Sequence, residues 1–191
     1  RVEEVLAEDS VMVAALKMRA TWLIDEDRPG EAIVDLRAAL DQAPRDAEIL
    51  TLMAQAHERD GALDLAGERL ALAVEVSGRS VDTSLRYAAF LLKQGRGQAA
   101  EAVLNDARKV SPASVPVLAR LADMYLAAKD WPRAQEIGVA LRQIATPEAL
   151  AAEKGLQAAL LLGQDRASEG IAFLQSQIGQ GSDDLRAITL I

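Results

Sequence analysis

The sequence predicts an all-α protein that repeats one helix pair along its length, and three observations favour this fold class. Half of the 191 residues are hydrophobic, as in ordinary globular proteins, but only 3% are aromatic. Alanine, the strongest helix former, is abundant, whereas the β-branched and aromatic residues that favour strands are sparse. A pattern of small and apolar residues also recurs at intervals of 34, 34, 34 and 33 residues.

Five consecutive blocks carry this pattern, and each block holds two helical stretches joined by a short turn. The blocks begin at Val13, Ala47, Val81, Val115 and Glu148. The eighth place of each block is small: Ala20, Ala54, Ala88, Ala122 and Gly155. The twentieth place is always alanine: Ala32, Ala66, Ala100, Ala134 and Ala167. Because small side chains let two helices approach closely, these places predict the seam between the two helices of a repeat.

Further places complete the repeat and mark its helix ends. The twenty-fourth place, mostly apolar, holds Leu36, Leu70, Leu104, Gly138 and Ile171, and the twenty-seventh holds Ala39, Ala73, Ala107, Leu141 and Leu174. Proline cannot continue a helix, so the prolines near the thirty-second place predict the end of a second helix: Pro44, Pro112 and Pro147. Side chains that can cap a first helix precede several blocks: Asp46, Ser80, Ser114, Thr146 and Ser182.

This spacing resembles the tetratricopeptide repeat (TPR) family from Val13 to about Gln180. The resemblance implies a right-handed α-solenoid of antiparallel helix pairs, a superhelix whose concave face is lined by the first helices. Residues 1–12 look like the tail of a preceding second helix, and residues 182–191 like the start of a further first helix. We therefore expect residues 1–191 to form a single repeat array and, since the chain begins with Arg1 rather than Met, a fragment of a longer chain.

In this family, places two, five, nine, twelve and thirteen line the concave face. The partner-binding residues that the resemblance implies are Lys17, Thr21, Asp25, Glu48, Gln55, Arg59, Leu85, Ala89, Leu92, Asp123 and Leu126. The face is polar in the first two repeats and apolar in the last three, where Leu156 and Leu160 also fall. Such a groove suits an extended peptide or an amphipathic helix. The open alternative is that its apolar end packs against a continuation of the array.

Both tryptophans have places in the repeat that favour packing over ligand binding. Trp131 holds the seventeenth place of its block, in the turn between helices, where it would cover the helix corner beside Pro132. Trp22 and Phe90 share the tenth place, which predicts packing between neighbouring repeats for both side chains.

Motifs that could carry catalysis or bind a cofactor are weak here. Gly95-x-Gly97 follows a helical stretch rather than a strand, so it predicts a turn and not a dinucleotide site. "DEDRPGE" lacks the later oxygen ligands of a calcium loop, having Pro29 and Leu36 at those places. His57, the one histidine in a chain without cysteine, holds the eleventh place and is interpreted as a packing residue. We expect no enzyme, no cofactor and no metal.

Charge and hydropathy narrow the choice of partner. A net charge of −8 and a pI near 4.8 argue against nucleic acid and against anionic membrane surfaces. No stretch of about 18 apolar residues predicts a membrane-inserted helix. The few lysines and abundant alanine are typical of a GC-rich bacterium, and the compartment stays open between cytoplasm and cell envelope.

We therefore expect a non-catalytic protein-protein interaction module that binds a peptide or helix in its concave groove as a scaffold, adaptor or assembly factor. Two alternatives remain open. The chain is a regulatory segment of a larger multidomain bacterial protein, or it self-associates through its apolar C-terminal end. Fold alone does not choose between these functions.

Overall fold

The computed structural model describes residues 2–164 and 166–179, which contain eleven helices and no strand. In chain order the helices are α1 (Val2–Glu8), α2 (Val13–Asp25), α3 (Pro29–Gln42), α4 (Ala47–Arg59), α5 (Leu63–Val76), α6 (Val81–Lys93), α7 (Gly97–Val110), α8 (Val115–Ala127), α9 (Trp131–Ile144), α10 (Pro147–Gly163) and α11 (Ala167–Gly179). The predicted all-α fold class is thus confirmed. Among these residues, no helix is both long and apolar enough to cross a bilayer.

The helix bounds of the first four repeats follow the periodicity of the sequence. The first helices α2, α4, α6 and α8 each have 13 residues and begin at the predicted block starts. The second helices α3, α5, α7 and α9 each have 14 residues. A turn of only three residues joins the two helices of each repeat, so the pair is antiparallel.

Side-chain caps begin three of the first helices as predicted. The Asp46 carboxylate accepts hydrogen bonds from two backbone N–H groups of α4, and Ser80 and Thr146 each accept one from α6 and α10. Ser114 occupies the N-cap position of α8 as predicted, but its side chain makes no capping hydrogen bond. Ser182 and the partial repeat at 182–191 lie outside the described residues.

The alanine seam of the first four repeats is buried. Each alanine at the eighth or twentieth place is at most 4% exposed: Ala20, Ala54, Ala88, Ala122, Ala32, Ala66, Ala100 and Ala134. Leu36, Leu70 and Leu104 at the twenty-fourth place are fully buried. Burial of these side chains, whose hydrophobic contribution is about 25 cal/mol per Å² of apolar surface, holds each helix pair together.

The turns inside these four repeats share a left-handed residue at the fifteenth place. The backbone φ angle is 60° at Asp27, 76° at Gly61, 71° at Gly95 and 55° at Lys129. Gly95 therefore ends α6, and the Gly95-x-Gly97 motif is a turn between helices, as predicted. Asp27, in the stretch that resembled a calcium loop, serves the same turn.

The fifth repeat departs from the predicted register. The residue before its cap, Ala145, is left-handed with φ 57°, and α10 begins at Pro147 rather than Glu148. With 17 residues, α10 is one turn longer than the other first helices. Nothing lies within 4 Å of a Cβ placed on Gly155, and Ile171 is 42% exposed, so neither belongs to the seam.

The longer α10 also moves the apolar residues that the predicted register assigned to the groove. Leu156 and Leu160 are 5% and 9% exposed, and a Cβ on Gly138 of α9 would lie 3.6 Å from Leu156. The expectation that these two leucines line an open groove was therefore wrong. They belong to the core because α10 presents a different face to α9 than the assigned register implied.

The chain divides into two compact bodies, Arg1–Val103 and Leu104–Ile191, called the N-terminal and C-terminal bodies below. The boundary falls inside α7. In the N-terminal body, Leu16, Ile24, Leu36 and Ile49 are buried in one cluster. In the C-terminal body, Leu118, Leu121, Ile137 and Leu141 are buried. A single array over the whole chain stays a prediction.

Candidate functional site

The predicted binding residues of the N-terminal body lie on α2, α4 and α6, and ion pairs connect these three helices. Lys17 of α2 pairs with Glu48 of α4, and its Nζ lies 3.3 Å from Oδ2 of Asp46, the residue that caps α4. Burial lowers the pKa of Lys17, but the hydrogen bonds to Glu48 and Asp46 outweigh it and raise that pKa overall. The first helices of the first two repeats, α2 and α4, thus share a charged face.

The C-terminal ends of α2 and α4 are joined in the same way. Arg59 Nη1 lies 3.7 Å from Oδ1 of Asp27, in the turn after α2. Asp25 is exposed nearby in sequence, and the hydroxyl of Thr21 donates to the backbone oxygen of Lys17 at 2.9 Å. Because exposed ion pairs contribute little to stability, these charges remain accessible to a partner at small cost.

A third connection links α4 to α6 through Glu58. Its carboxylate lies 3.2 Å from Arg86 Nη2 and 4.0 Å from Lys93 Nζ. Glu58 holds the twelfth place of its repeat, one of the places expected on the concave face, whereas Arg86 was not among the expected binding residues. The signal that could have found Arg86 is charge of opposite sign on consecutive first helices.

Apolar side chains continue this face on α6. Leu85, Ala89 and Leu92 are all half-buried, as is Gln55 on α4. The expected binding residues of α2, α4 and α6, together with the charged residues paired among them, are called the first-helix face below. They are Lys17, Thr21, Asp25, Glu48, Gln55, Arg59, Leu85, Ala89 and Leu92, with Asp27, Asp46, Glu58, Arg86 and Lys93. The face combines exposed carboxylates with a half-buried aliphatic patch.

The two expected binding residues of the C-terminal body lie on α8. Leu126 is half-buried, and Asp123 is exposed. Protein atoms around the Asp123 carboxyl desolvate it and raise its pKa, and the nearby charge of Arg120 opposes this only partly. The protein atoms around this surface carboxyl group of α8 thus disfavour its charged form.

His57 is placed for packing. Its side chain is 4% exposed within α4, and its Nδ1 is buried without a hydrogen-bond partner. Burial lowers its pKa, and the positive charges of Arg69 and Arg37 lower it further. Across residues 2–164 and 166–179, no three His, Cys, Asp or Glu side chains are grouped so as to hold a metal ion.

The two tryptophans have different surroundings. Trp131 is the first residue of α9 rather than part of the preceding turn, and its half-buried ring lies against Gly163 at the end of α10. Phe90 is 4% exposed and packs on Gly67 of the preceding second helix, as predicted. Trp22, at the same place as Phe90, is 50% exposed, so the prediction of packing between repeats was wrong for this ring.

Solved structures with a similar fold are known, although no family model and no curated protein sequence matches the chain. PilW, a type IV pilus biogenesis factor, aligns with a TM-score of 0.68 at 17% identity, over 99% of this chain and 87% of that one. YrrB, a TPR protein with an unusual peptide-binding site, aligns with a TM-score of 0.64 at 12% identity, over 100% and 97%. TTC0263, a TPR protein of Thermus thermophilus, aligns with 0.54 at 21%, over 93% and 95%.

These comparisons show the fold. The chain has the TPR fold of these structures, an all-α helical solenoid. The resemblance that the 34-residue spacing indicated is thereby confirmed at the level of architecture.

Proposed function

We propose that this chain is a non-catalytic protein-protein interaction module that binds a peptide or helix on the first-helix face. The observation that carries the proposal is the set of ion pairs linking α2, α4 and α6, which gathers residues from three repeats onto one surface. A peptide running across successive first helices would meet all of these side chains. The fold supports this function, since YrrB, which shares it, is a peptide-binding TPR protein.

The chemistry of the face favours a partner segment with both basic and aliphatic side chains. Glu48 and Asp27 have exposed side chains, 67% and 79%, so they can exchange their present partners for those of a ligand. Leu85 and Leu92 are half-buried and offer apolar surface on α6. An extended segment or an amphipathic helix presents such side chains at regular intervals. The role is that of a scaffold, adaptor or assembly factor.

Affinity capture from a lysate of the source organism tests this proposal. The parent chain is the bait, and the comparison bait carries Leu85→Glu and Leu92→Glu, which place charge on the half-buried aliphatic patch of the first-helix face. A matched control, Val139→Glu, adds a charge at a 52% exposed position of α9. We expect a protein that the parent and the control retain and the double variant loses. Equal retention by all three baits would contradict binding at this face.

Self-association is a second candidate because the C-terminal body exposes large apolar side chains. Val139, Leu150 and Ile171 are 52%, 37% and 42% exposed on α9, α10 and α11. Under this alternative the chain is an oligomerisation or regulatory segment of a larger bacterial protein. Sedimentation equilibrium over a hundredfold range of concentration tests it, with Ile171→Glu as the variant expected to lower the average mass. A constant monomer mass would exclude it.

A further inference from the structure

Two charged rims of opposite sign border the first-helix face where it crosses α4 and α6. Glu48 and Asp82 hold the second place of their repeats, and both side chains are exposed. Arg59 and Lys93 hold the thirteenth place and are exposed as well. Because α5 runs antiparallel to both helices, α4 and α6 are parallel, so the acids form one rim and the bases the other. At 1.5 Å per residue, the two rims lie about 16 Å apart along each helix.

Between the rims lies a central strip that is half-buried and largely apolar. On α6 the strip consists of Leu85, Ala89 and Leu92. On α4 it contains Gln55 and Thr51, and the Thr51 hydroxyl donates to a backbone oxygen of its own helix at 2.8 Å. A partner can therefore cover this hydroxyl without leaving it unpaired. At 100° per residue, the strip and rim residues of each helix share an arc of about 100°.

The charges of α2 run in the opposite order along the helix. Lys17 lies beside the acidic rim and pairs with Glu48. Asp27, in the turn after α2, lies beside the basic rim, with its Oδ1 3.7 Å from Nη1 of Arg59. The rims therefore end at α4, and a partner that matches their charges covers α4 and α6.

The rim charges can exchange their present partners for those of a ligand. The side chains of Glu48 and Lys93 are 67% and 72% exposed, and Lys93 Nζ lies 4.0 Å from Oε2 of Glu58. Glu58 keeps a shorter contact of 3.2 Å with Nη2 of Arg86, so it stays paired when Lys93 turns to a ligand. Because exposed ion pairs contribute little to stability, this exchange costs little.

An occupant that matches the strip and both rims must present a basic, an aliphatic and an acidic stripe side by side. An extended peptide directs its side chains alternately to two opposite faces, so it has too few faces for three stripes. An α-helix places a side chain every 100°, and its diameter of about 10–12 Å fits between rims about 16 Å apart. Since the axes of packed helices lie about 8–10 Å apart, a helix of about 14 residues spans α4 and α6.

We propose that the central strip docks an amphipathic helix of a partner protein, whose basic flank faces the acidic rim and whose acidic flank faces the basic rim. Its apolar stripe would lie on Leu85 and Leu92. The rims also fix the direction of this helix, because turning it end for end would set each flank against a rim of its own sign. This inference rests on the proposed function, which leaves open whether the bound segment is extended or helical.

The probe is the labelled peptide LKAELKELKAELKE, which as a helix carries a leucine stripe between a lysine flank and a glutamate flank. Fluorescence anisotropy is measured as the whole chain is added to a trace of this peptide. The peptide LKAELEKLEAKLKE keeps the composition and the leucine stripe but mixes the charges on both flanks, and it should bind at least about tenfold more weakly. Proline in place of the tenth residue of the probe breaks the helix and should weaken binding by at least as much.

Reversal of the basic rim, Arg59→Glu plus Lys93→Glu, makes both rims acidic. The probe should then bind at least about tenfold more weakly. The peptide LKAKLKKLKAKLKK, with lysine on both flanks, should instead bind this variant at least about tenfold more tightly than it binds the parent. Lys109→Glu plus Arg166→Glu is the matched control, because it changes the net charge equally and breaks two exposed ion pairs elsewhere. Both affinities should be unchanged in the control, and the thermal melts of all variants should match that of the parent.

No binding of the probe up to about 1 mM, or equal binding by the mixed-charge peptide or by the reversed variant, overturns the helix proposal. Equal binding by the proline peptide would show that the strip takes an extended segment, which also overturns it. The proposed function is judged separately, by capture of a partner on the parent bait and its loss from Leu85→Glu plus Leu92→Glu. A partner captured in that way, together with any of these peptide results, refutes the docked helix alone.

Discussion

The indole ring of Trp131 lies so close to Gly163 that no side chain fits between them. A Cβ on Gly163 would stand 2.7 Å from Cη2 and 3.0 Å from Cζ3 of the ring. Trp131 begins α9 and Gly163 ends α10. The contact therefore joins the second helix of the fourth repeat to the C-terminal end of the first helix of the fifth repeat. The tryptophan therefore has a structural role, and its partner is a glycine.

The first prediction concerns this contact. Gly163→Ala should lower the free energy of unfolding by about 1–3 kcal/mol, because the ring must move out of its packed position. Gly155→Ala in the same helix is the matched control, since nothing lies within 4 Å of its Cβ. That change should raise stability by about 0.5–1 kcal/mol through helix propensity. Urea denaturation of both variants measures the difference, and a stabilised Gly163→Ala would contradict the contact.

The architecture of the first four repeats could be predicted from the sequence because burial and periodicity coincide there. Ala20 and Ala32, like their equivalents in three further repeats, are alanines at fixed spacing and are buried. The 34-residue interval therefore predicted the starts of the first helices and the positions of the seam alanines. Trp22 shows the limit of this logic, because the repeat register gives a side chain its place but not the neighbour that covers it.

The register of the fifth repeat could not be predicted correctly, because α10 is longer than the other first helices. "PEALAAEKGLQAALLLG" contains alanine or leucine at ten of its 17 places, so several registers are similarly apolar. The left-handed Ala145 starts α10 early, and the absence of a stop before Gly163 adds one turn. Packing against Gly138 of α9 then places Leu156 in the core, where Leu160 is also buried.

The candidate site was predictable only in part. The family pattern named Lys17, its partner Glu48 and Arg59, but not the further acids that pair with them, Asp46 and Asp27. These pairings depend on how far long side chains reach between helices, and spacing along the chain does not contain that distance. The sequence therefore predicts the position of the binding face better than it predicts which charged side chains on that face are available to a partner.

The second prediction uses the left-handed residue at the fifteenth place. Lys129 has φ 55° where two other repeats have glycine, and left-handed backbone is unfavourable for a residue with a Cβ. Lys129→Gly should therefore stabilise the protein by about 0.5–1 kcal/mol, net of the extra chain entropy of glycine. Gly95→Ala is the reverse change and should destabilise it by about 1 kcal/mol. Thermal melts with opposite shifts are expected, whereas shifts of one sign would argue against strain at this turn.

The third prediction is a pH dependence from His57. Burial lowers its pKa below the ordinary value of 6.5, so the folded protein binds a proton less readily than the unfolded chain. Above pH 6.5 the imidazole of His57 is neutral in both the folded and the unfolded protein. The free energy of unfolding is lost as the pH falls from there through the lowered pKa. The slope should approach at most about 1.4 kcal/mol per pH unit.

His57→Tyr is the matched variant, because Tyr125 holds the same place in the fourth repeat and is 5% exposed. Denaturant midpoints between about pH 5 and 7.5 should fall on acidification more steeply for the parent than for His57→Tyr. Parallel curves for the two proteins would show that the histidine does not titrate on unfolding in this range.

The fourth prediction compares the two aromatic residues at the tenth place. Phe90→Ala should cost about 3–5 kcal/mol of stability, because its ring is 4% exposed and its loss leaves a cavity beside Gly67. Trp22→Ala should change stability by less than about 1 kcal/mol, since half of the ring already faces solvent. Chemical denaturation of both variants tests the contrast. A large loss for Trp22→Ala would mean that the ring is covered in solution.

The fifth prediction concerns binding at the first-helix face. Lys17→Glu plus Arg59→Glu should weaken retention of the captured partner, because the reversal places new carboxylates beside Glu48 and Asp27 and changes the charge of the face by about four units. The Arg59–Asp27 pair is exposed and should contribute no more than about 1 kcal/mol, and the half-buried Lys17 should contribute about as much again, so the variant stays folded. Arg166→Glu, which also breaks an exposed ion pair but lies between α10 and α11, is the matched control. Retention of the partner is compared at low and high salt. A loss that is confined to the double variant and is largest at low salt places the partner on this face. An equal loss in the control would place the partner elsewhere.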